Sequence, residues 1–219
     1  MRRDKHFHQD VQPWWTRPDP ARRPLDDPWK LVLPPGASEK RVVQNHVTEV
    51  LATLATVDTR LRMLDTHDKV SFFDRKPDIC ICPAPHASTL PPAWYIVAIG
   101  EVKGRRGNQE RFDDDEIGRI VLFLQDLLRA RPDRTMATGF LTDTYIIQFF
   151  RLRTTRTDLR VDSEVDATRV YFLKRPPEGT DPCGGDWLQS LLMEDPFVLG
   201  CPSTELSVSG SAVEITLSR

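Results

Sequence analysis

One run of residues constrains the architecture more than any other: Trp94-Tyr95-Ile96-Val97-Ala98-Ile99-Gly100 is apolar without alternation and ends in Glu101-Val102-Lys103. A half-exposed strand alternates apolar and polar residues, whereas an uninterrupted apolar run of this length belongs in mid-sheet with both faces covered. The expectation is an α/β fold built around this central strand. Because side chains alternate across an extended chain, Glu101 and Lys103 share a face, together with Tyr95, Val97 and Ile99. Charges at the rim of a core are costly to desolvate unless something pairs with them, and a divalent metal with a phosphate would do so. A second unit of the same kind, Lys76-Pro77-Asp78-Ile79-Cys80-Ile81-Cys82-Pro83, places Asp78 at the opening of a short apolar strand.

The remaining segments supply helices and further strands. From Ser38, a suitable N-cap, Val43, Val47, Val50, Leu51 and Leu54 recur at helical spacing and predict a first helix. Arg60 to Leu64 reads as a strand, and a proline-rich hairpin (Pro83, Pro85, Pro91, Pro92) joins the Asp78 and Glu101 strands. After the basic loop Gly104-Arg105-Arg106-Gly107, the acidic run Asp113 to Glu116 opens a second helix. Its apolar face is Ile117, Ile120, Val121, Leu124, Leu127 and Leu128, and Pro132 stops it. Met136 to Leu141, Tyr145 to Leu152 and Arg169 to Leu173 read as strands, Trp187 to Met193 as a short helix, and Leu206 to Leu217 as alternating residues. The division expected is a Pro/Trp/Arg-rich arm over 1–36, a core over 37–175 and a C-terminal extension over 176–219. The arm shows no strand or helix periodicity, but Trp14, Trp15 and Trp29 are too apolar for a free linker, so it is expected to pack on the domain or on a partner.

Composition adds exclusions. A chain of 219 residues can bury one sizeable core, and its net charge of −2 leaves any polyanion contact to a local patch. Cys80, Cys82, Cys183 and Cys201 are too scattered for a disulfide framework and lack zinc-ligand spacing, so they read as small buried hydrophobes. No run approaches the roughly 18 apolar residues of a membrane span, and the N-terminus carries no apolar signal run. The expectation is a soluble intracellular chain.

The order helix, strands, a strand ending in Glu-x-Lys, helix, strand resembles the PD-(D/E)xK, restriction-endonuclease-like nuclease superfamily. Pro77-Asp78 and Glu101-Val102-Lys103 carry the resemblance. Lys76-Pro77-Asp78-Ile79, Gly100 to Gly104, Phe123-Leu124-Gln125, Gly139 to Asp143 and Ile147 to Phe150 look like the nuclease-like domain of Crinkler-type effectors and related fungal proteins. It covers about Ser38 to Leu152, and residues 1–36 carry none of it. The resemblance implies an αβββαβ core with a central mixed sheet flanked by helices, and a metal-dependent nuclease, DNA favoured, serving as an effector or toxin domain. It also implies a linked or partner kinase domain, since the segment Leu199 to Leu217 looks like the approach to one, and action in a nucleus. A homodimer is compatible with it.

The residue types suit that chemistry. Asp78, Glu101 and the Val102 carbonyl offer oxygens to magnesium, or to manganese in its place. Lys103 orients or deprotonates the attacking water and offsets transition-state charge. Glu39, flanking the apolar stripe of the first helix, is the candidate further ligand, whereas Glu49 falls on its solvated face. Arg105 and Arg106, with Arg111, are candidate phosphate contacts, and Gln125 a candidate hydrogen-bonding residue beside the site. Asp65 and Asp74 read as turn formers, His67 and His86 as loop residues without a nucleophile to serve. The glycine-rich loop and the His-Arg-Asp and Asp-Phe-Gly motifs of a kinase are missing, and Gly100 stands where its strand lysine would be. The alternative is a catalytically silent nuclease fold that binds nucleic acid or a partner kinase.

Overall fold

The computed structural model describes residues 6–18, 59–67, 75–83, 92–104, 110–156, 161–174, 181–201, 204–209 and 212–217. The helix expected from Ser38, with Glu39 and Glu49, lies outside these residues, as do Trp29, Asp74, His86, Arg105 and Arg106.

The chain is an α/β protein whose described residues form a central mixed sheet of eight strands. In chain order these are β1 (His6–Val11), β2 (Leu61–Asp65), β3 (Ile79–Pro83), β4 (Ala98–Val102), β5 (Met136–Thr142), β6 (Ile146–Arg156), β7 (Val161–Thr168) and β8 (Tyr171–Phe172). Their spatial order is β1-β7-β6-β5-β4-β3-β2, with β8 beside β6. β4 and β5 run parallel, as do β1 and β7, and the other pairings are antiparallel. Helix α1 (Asp114–Ala130) connects β4 to β5, helix α2 (Gly184–Met193) follows β8, and β9 (Thr204–Ser209) with β10 (Ala212–Leu217) forms a separate hairpin.

Local chemistry explains the elements. The acidic run opening α1 is a capping box: Asp113 Oδ1 accepts from the Glu116 N–H at 2.9 Å and Glu116 Oε2 from the Asp113 N–H at 3.0 Å. Both bonds satisfy backbone donors that a helix start leaves open. The apolar stripe of α1 then packs on one sheet face with Cys80, Ile99, Leu141, Phe150 and Val165. The opposite face is covered by α2, through Trp187, Leu188, Leu191 and Leu192, and by Trp15. Both faces of β4 are therefore buried, as its composition requires.

Several expectations are corrected. Trp94 and Tyr95 form a 3-10 turn (Ala93–Tyr95), Trp94 is exposed, and the strand proper starts at Ala98. Val97 and Ala98 both pack in the α2-side cluster while Ile96 and Ile99 pack on the α1 side, so the alternation breaks there and Val97 does not share a face with Glu101. The stretch read as an arm without periodicity supplies β1, which pairs with β7 through Phe7–Val165 and His8–Asp166. The strand expected over Arg169 to Leu173 shrinks to β8, and β7 was not anticipated at all. β7 carries acids in mid-sheet because β6 supplies arginines opposite them, Arg151 to Asp166 and Arg153 to Glu164. Burial pushes the Asp166 carboxyl up, but hydrogen bonds from Arg151 and Arg153 outweigh it and hold that carboxyl below its ordinary value. No helix among the described residues is long and apolar enough to cross a membrane.

Cys80, Cys82 and Cys201 are buried. Burial, opposed by a hydrogen bond with Thr66 and reinforced by Cys82, pushes the Cys80 thiol up to about 12; burial, opposed by Arg62, pushes Cys82 up to about 11. Since the thiolate is the nucleophile, iodoacetamide at pH 8 is expected to leave both unmodified in the native protein and to label them after unfolding, read by mass spectrometry. Labelling of native Cys80 would contradict its burial. Both folded values exceed the ordinary 9.0, so the neutral thiols stabilise the fold fully below pH 9 and that contribution is lost as pH rises toward 11 and 12.

Candidate active site

The end of β4 gathers four charged side chains, Glu101, Lys103, Arg119 and Asp78. Period-two alternation sends Glu101 to the α1 face of the sheet, beyond Ile99, and brings Lys103 to the same side. Lys103 Nζ donates to Glu101 Oε1 at 2.8 Å, and both residues are buried, Glu101 at 1% exposure and Lys103 at 7%. The same Oε1 accepts from Arg119 Nε of α1 at 2.9 Å. Glu101 Oε2 is buried with no hydrogen-bond partner among the described residues. Asp78, at the start of β3, reaches across the strand pair: its Oδ2 accepts from the backbone N–H of Val102 at 2.8 Å. The first carboxylate is thus bonded to the backbone between the second carboxylate and the lysine. Lys103 N–H in turn donates to the Thr142 carbonyl at 2.8 Å, extending the β4–β5 ladder to the site.

Neighbouring residues hold Asp78 in place. Thr66, fully buried after β2, donates Oγ1 to the Pro77 carbonyl at 2.7 Å and its N–H to the Asp78 carbonyl at 2.9 Å. Arg75 Nη1 lies 2.5 Å from Oδ2 of Asp126, a fully buried carboxylate on α1 whose Oδ1 also accepts from Arg129 at 3.0 Å. Arg119 and Asp126 are seven residues apart and so lie on one flank of α1. One faces Glu101 and the other anchors the segment leading into Asp78.

Of the residues expected from sequence, Asp78, Glu101, Val102 and Lys103 come together. Gln125 is half-buried about 120° around α1 from Arg119 by helical spacing, and makes no hydrogen bond to them among the described residues. Arg111 is exposed. Asp65 closes β2, and its Oδ1 pairs with Nδ1 of His67. Arg119, Asp126 and Thr66 went unrecognised. Asp126 carried a signal, a carboxylate beside the apolar stripe of a core helix, which requires a partner when buried. Arg119 carried none, because exposed helix arginines are commonplace.

The donor set has the chemistry of a hard-cation site. Two carboxylates and a main-chain carbonyl are oxygen ligands, and the orphaned Oε2 of Glu101 is a buried acceptor in want of a partner. Among the described residues no group of three His, Cys, Asp or Glu side chains is placed to hold a metal ion, and Glu39, the further ligand expected from sequence, lies outside them.

No curated protein and no solved structure matches the chain. A family model described as a domain of unknown function, DUF6826, matches residues 39–134, a span that holds Asp78, Glu101, Lys103 and all of α1.

Proposed function

We propose that this chain is a metal-dependent phosphodiesterase that hydrolyses nucleic acid, with DNA the favoured substrate, on a restriction-endonuclease-like core. One observation carries the reading: a buried Glu101–Lys103 pair ends a central strand, and Asp78 is hydrogen-bonded to the residue between them. Element order supports it, since the antiparallel strands β2, β3 and β4 are followed by α1 and by β5 parallel to β4.

Asp78 and Glu101, with the Val102 carbonyl, would hold magnesium or manganese through oxygen. A bound cation of this kind polarises a phosphoryl oxygen and lowers the pKa of a water. The chain's own contribution is positional and electrostatic. The Lys103 ammonium, held against Glu101 Oε1, has further N–H donors with which to orient the attacking water or to meet a phosphate oxygen as negative charge builds. Arg119 brings a second cation to the same carboxylate and, being 55% exposed in its side chain, can turn to a substrate phosphate. Thr66 and the Arg75–Asp126 pair keep Asp78 from shifting, which matters because small misplacements of such groups cost large factors in rate.

The test is incubation of the purified chain with plasmid DNA, single-stranded DNA and RNA, in magnesium or manganese against EDTA. Cutting that needs the metal is expected, with DNA preferred. Tight binding without cutting would replace the proposal with a silent binding module, and neither binding nor cutting would remove nucleic acid altogether.

A further inference from the structure

The turn between β5 and β6 is built at a cost and stabilised by a dense set of bonds. Thr144 has φ +73°, a left-handed conformation that a β-branched residue adopts only under constraint. Asp143 Oδ1 accepts from the N–H groups of Tyr145 at 2.9 Å and Ile146 at 2.7 Å. Thr142 Oγ1 donates to the Ile146 carbonyl at 2.8 Å and accepts from the Thr144 N–H at 3.1 Å. The Thr142 carbonyl is the one that receives the Lys103 N–H, so this rigid turn adjoins the candidate site directly.

The turn presents an aromatic ring to solvent. Tyr145 is 36% exposed and Phe172 of β8 is 47% exposed, and their rings meet edge to face with centroids 5.4 Å apart. Phe172 opposes Ile146 across the β6–β8 pair, and Ile146 packs in the α1-side cluster. Opposed residues share a face, so Phe172 lies on the sheet face that also carries Glu101 and Lys103. Glu101, Leu141 and Gln148 are in register on β4, β5 and β6, and Ile146 lies two residues beyond Gln148 toward the same end of the sheet as Lys103. With strands about 4.8 Å apart and about 3.4 Å per residue, the Cα of Phe172 is on the order of 16 Å from that of Glu101. A strand whose phosphate sat at Glu101 and Lys103 would span that distance in a few nucleotides.

We propose that Tyr145 and Phe172 form a base-stacking platform for an unpaired stretch of the nucleic-acid substrate a few nucleotides from the scissile phosphate. This rests on the nuclease reading given above. Aromatic faces stack any nucleobase, whereas a base-paired stretch keeps its bases stacked on one another, so the platform selects single-stranded, frayed or flapped substrates over a continuous duplex.

The test measures anisotropy of a labelled single-stranded oligonucleotide with the full chain, in calcium in place of magnesium. Tyr145→Ala with Phe172→Ala is expected to weaken binding about tenfold or more, and Tyr145→Trp to bind as the unmodified chain does. Because Phe172→Ala could disturb β8, a second arm leaves the protein unchanged. Abasic positions in the oligonucleotide should weaken binding by the unmodified chain equally, with little further loss in the double variant. Equal affinity of the unmodified chain for intact and abasic strands, or unchanged affinity in a folded double variant, overturns the platform. If metal-dependent plasmid cutting persists in that case, the nuclease reading stands without it. An unmodified chain that neither binds nor cuts any nucleic acid removes both.

Discussion

Lys103→Ala should lower magnesium-dependent cleavage at least about 100-fold, the range in which loss of a positioned proton-transfer group falls. The chain should remain folded, because Glu101 Oε1 keeps its bond to Arg119 when the ammonium is removed. Lys103→Arg should be nearly as inactive: the charge survives, but a planar guanidinium that does not titrate replaces a compact amine. Glu101→Ala separates the structural from the chemical role. It leaves the buried ammonium of Lys103 without its carboxylate and should cost about 3–5 kcal/mol of stability besides activity. Plasmid cleavage rates set beside thermal unfolding of each variant decide the matter. A folded Lys103→Ala chain that still cuts within a few-fold of the original would sink the assignment.

Trp15→Ala should destabilise the chain by about 3–5 kcal/mol, as expected for a large aromatic removed from a packed core. Trp15 is 5% exposed, makes edge contacts with Phe149 at 5.0 Å and Trp187 at 5.9 Å, and donates Nε1–H to the Trp187 carbonyl at 3.3 Å. Its removal leaves a cavity between β6 and α2. The next residue continues the docking, since the Thr16 N–H donates to Glu194 Oε2 at 2.8 Å and Ser190 Oγ donates to the Thr16 carbonyl at 2.5 Å. Burial raises the Glu194 carboxyl, but the Thr16 and Asp195 N–H groups and Arg60 outweigh it and hold it below its ordinary value. Urea unfolding measures the effect. A midpoint unchanged by Trp15→Ala would mean that the N-terminal segment is not part of the core.

The elements governed by local pattern were legible. The doubly apolar β3 and β4, the stripe and stop of α1, the β5–β6 hairpin and the short helix α2 announce themselves in runs of ten or so residues. The two strands that escaped notice are those whose stability comes from elsewhere. β7 reads as polar because its acids are neutralised by arginines on β6, and β1 is a strand only because β7 lies beside it. The break at Val97–Ala98 was equally hidden, since an apolar run gives no sign of which residue turns to which face.

At the candidate site the same division holds. That Glu101 and Lys103 meet follows from the two-residue period of a strand, a relation between neighbours that any extended chain imposes. Asp78 opening its own strand was legible in the same way. That Asp78 bonds the backbone of Val102, that Arg119 shares the Glu101 carboxylate, and that Arg75 and Asp126 hold the approach depends on where β3 and α1 lie relative to β4. Sequence alone therefore determined the elements whose pattern is local, such as β3, β4, α1 and α2, and that Glu101 and Lys103 share a face, because backbone geometry repeats over a few residues. Only the tertiary structure decided which distant charges meet, because a buried charge takes whatever partner the path of the chain carries within about 3 Å of it.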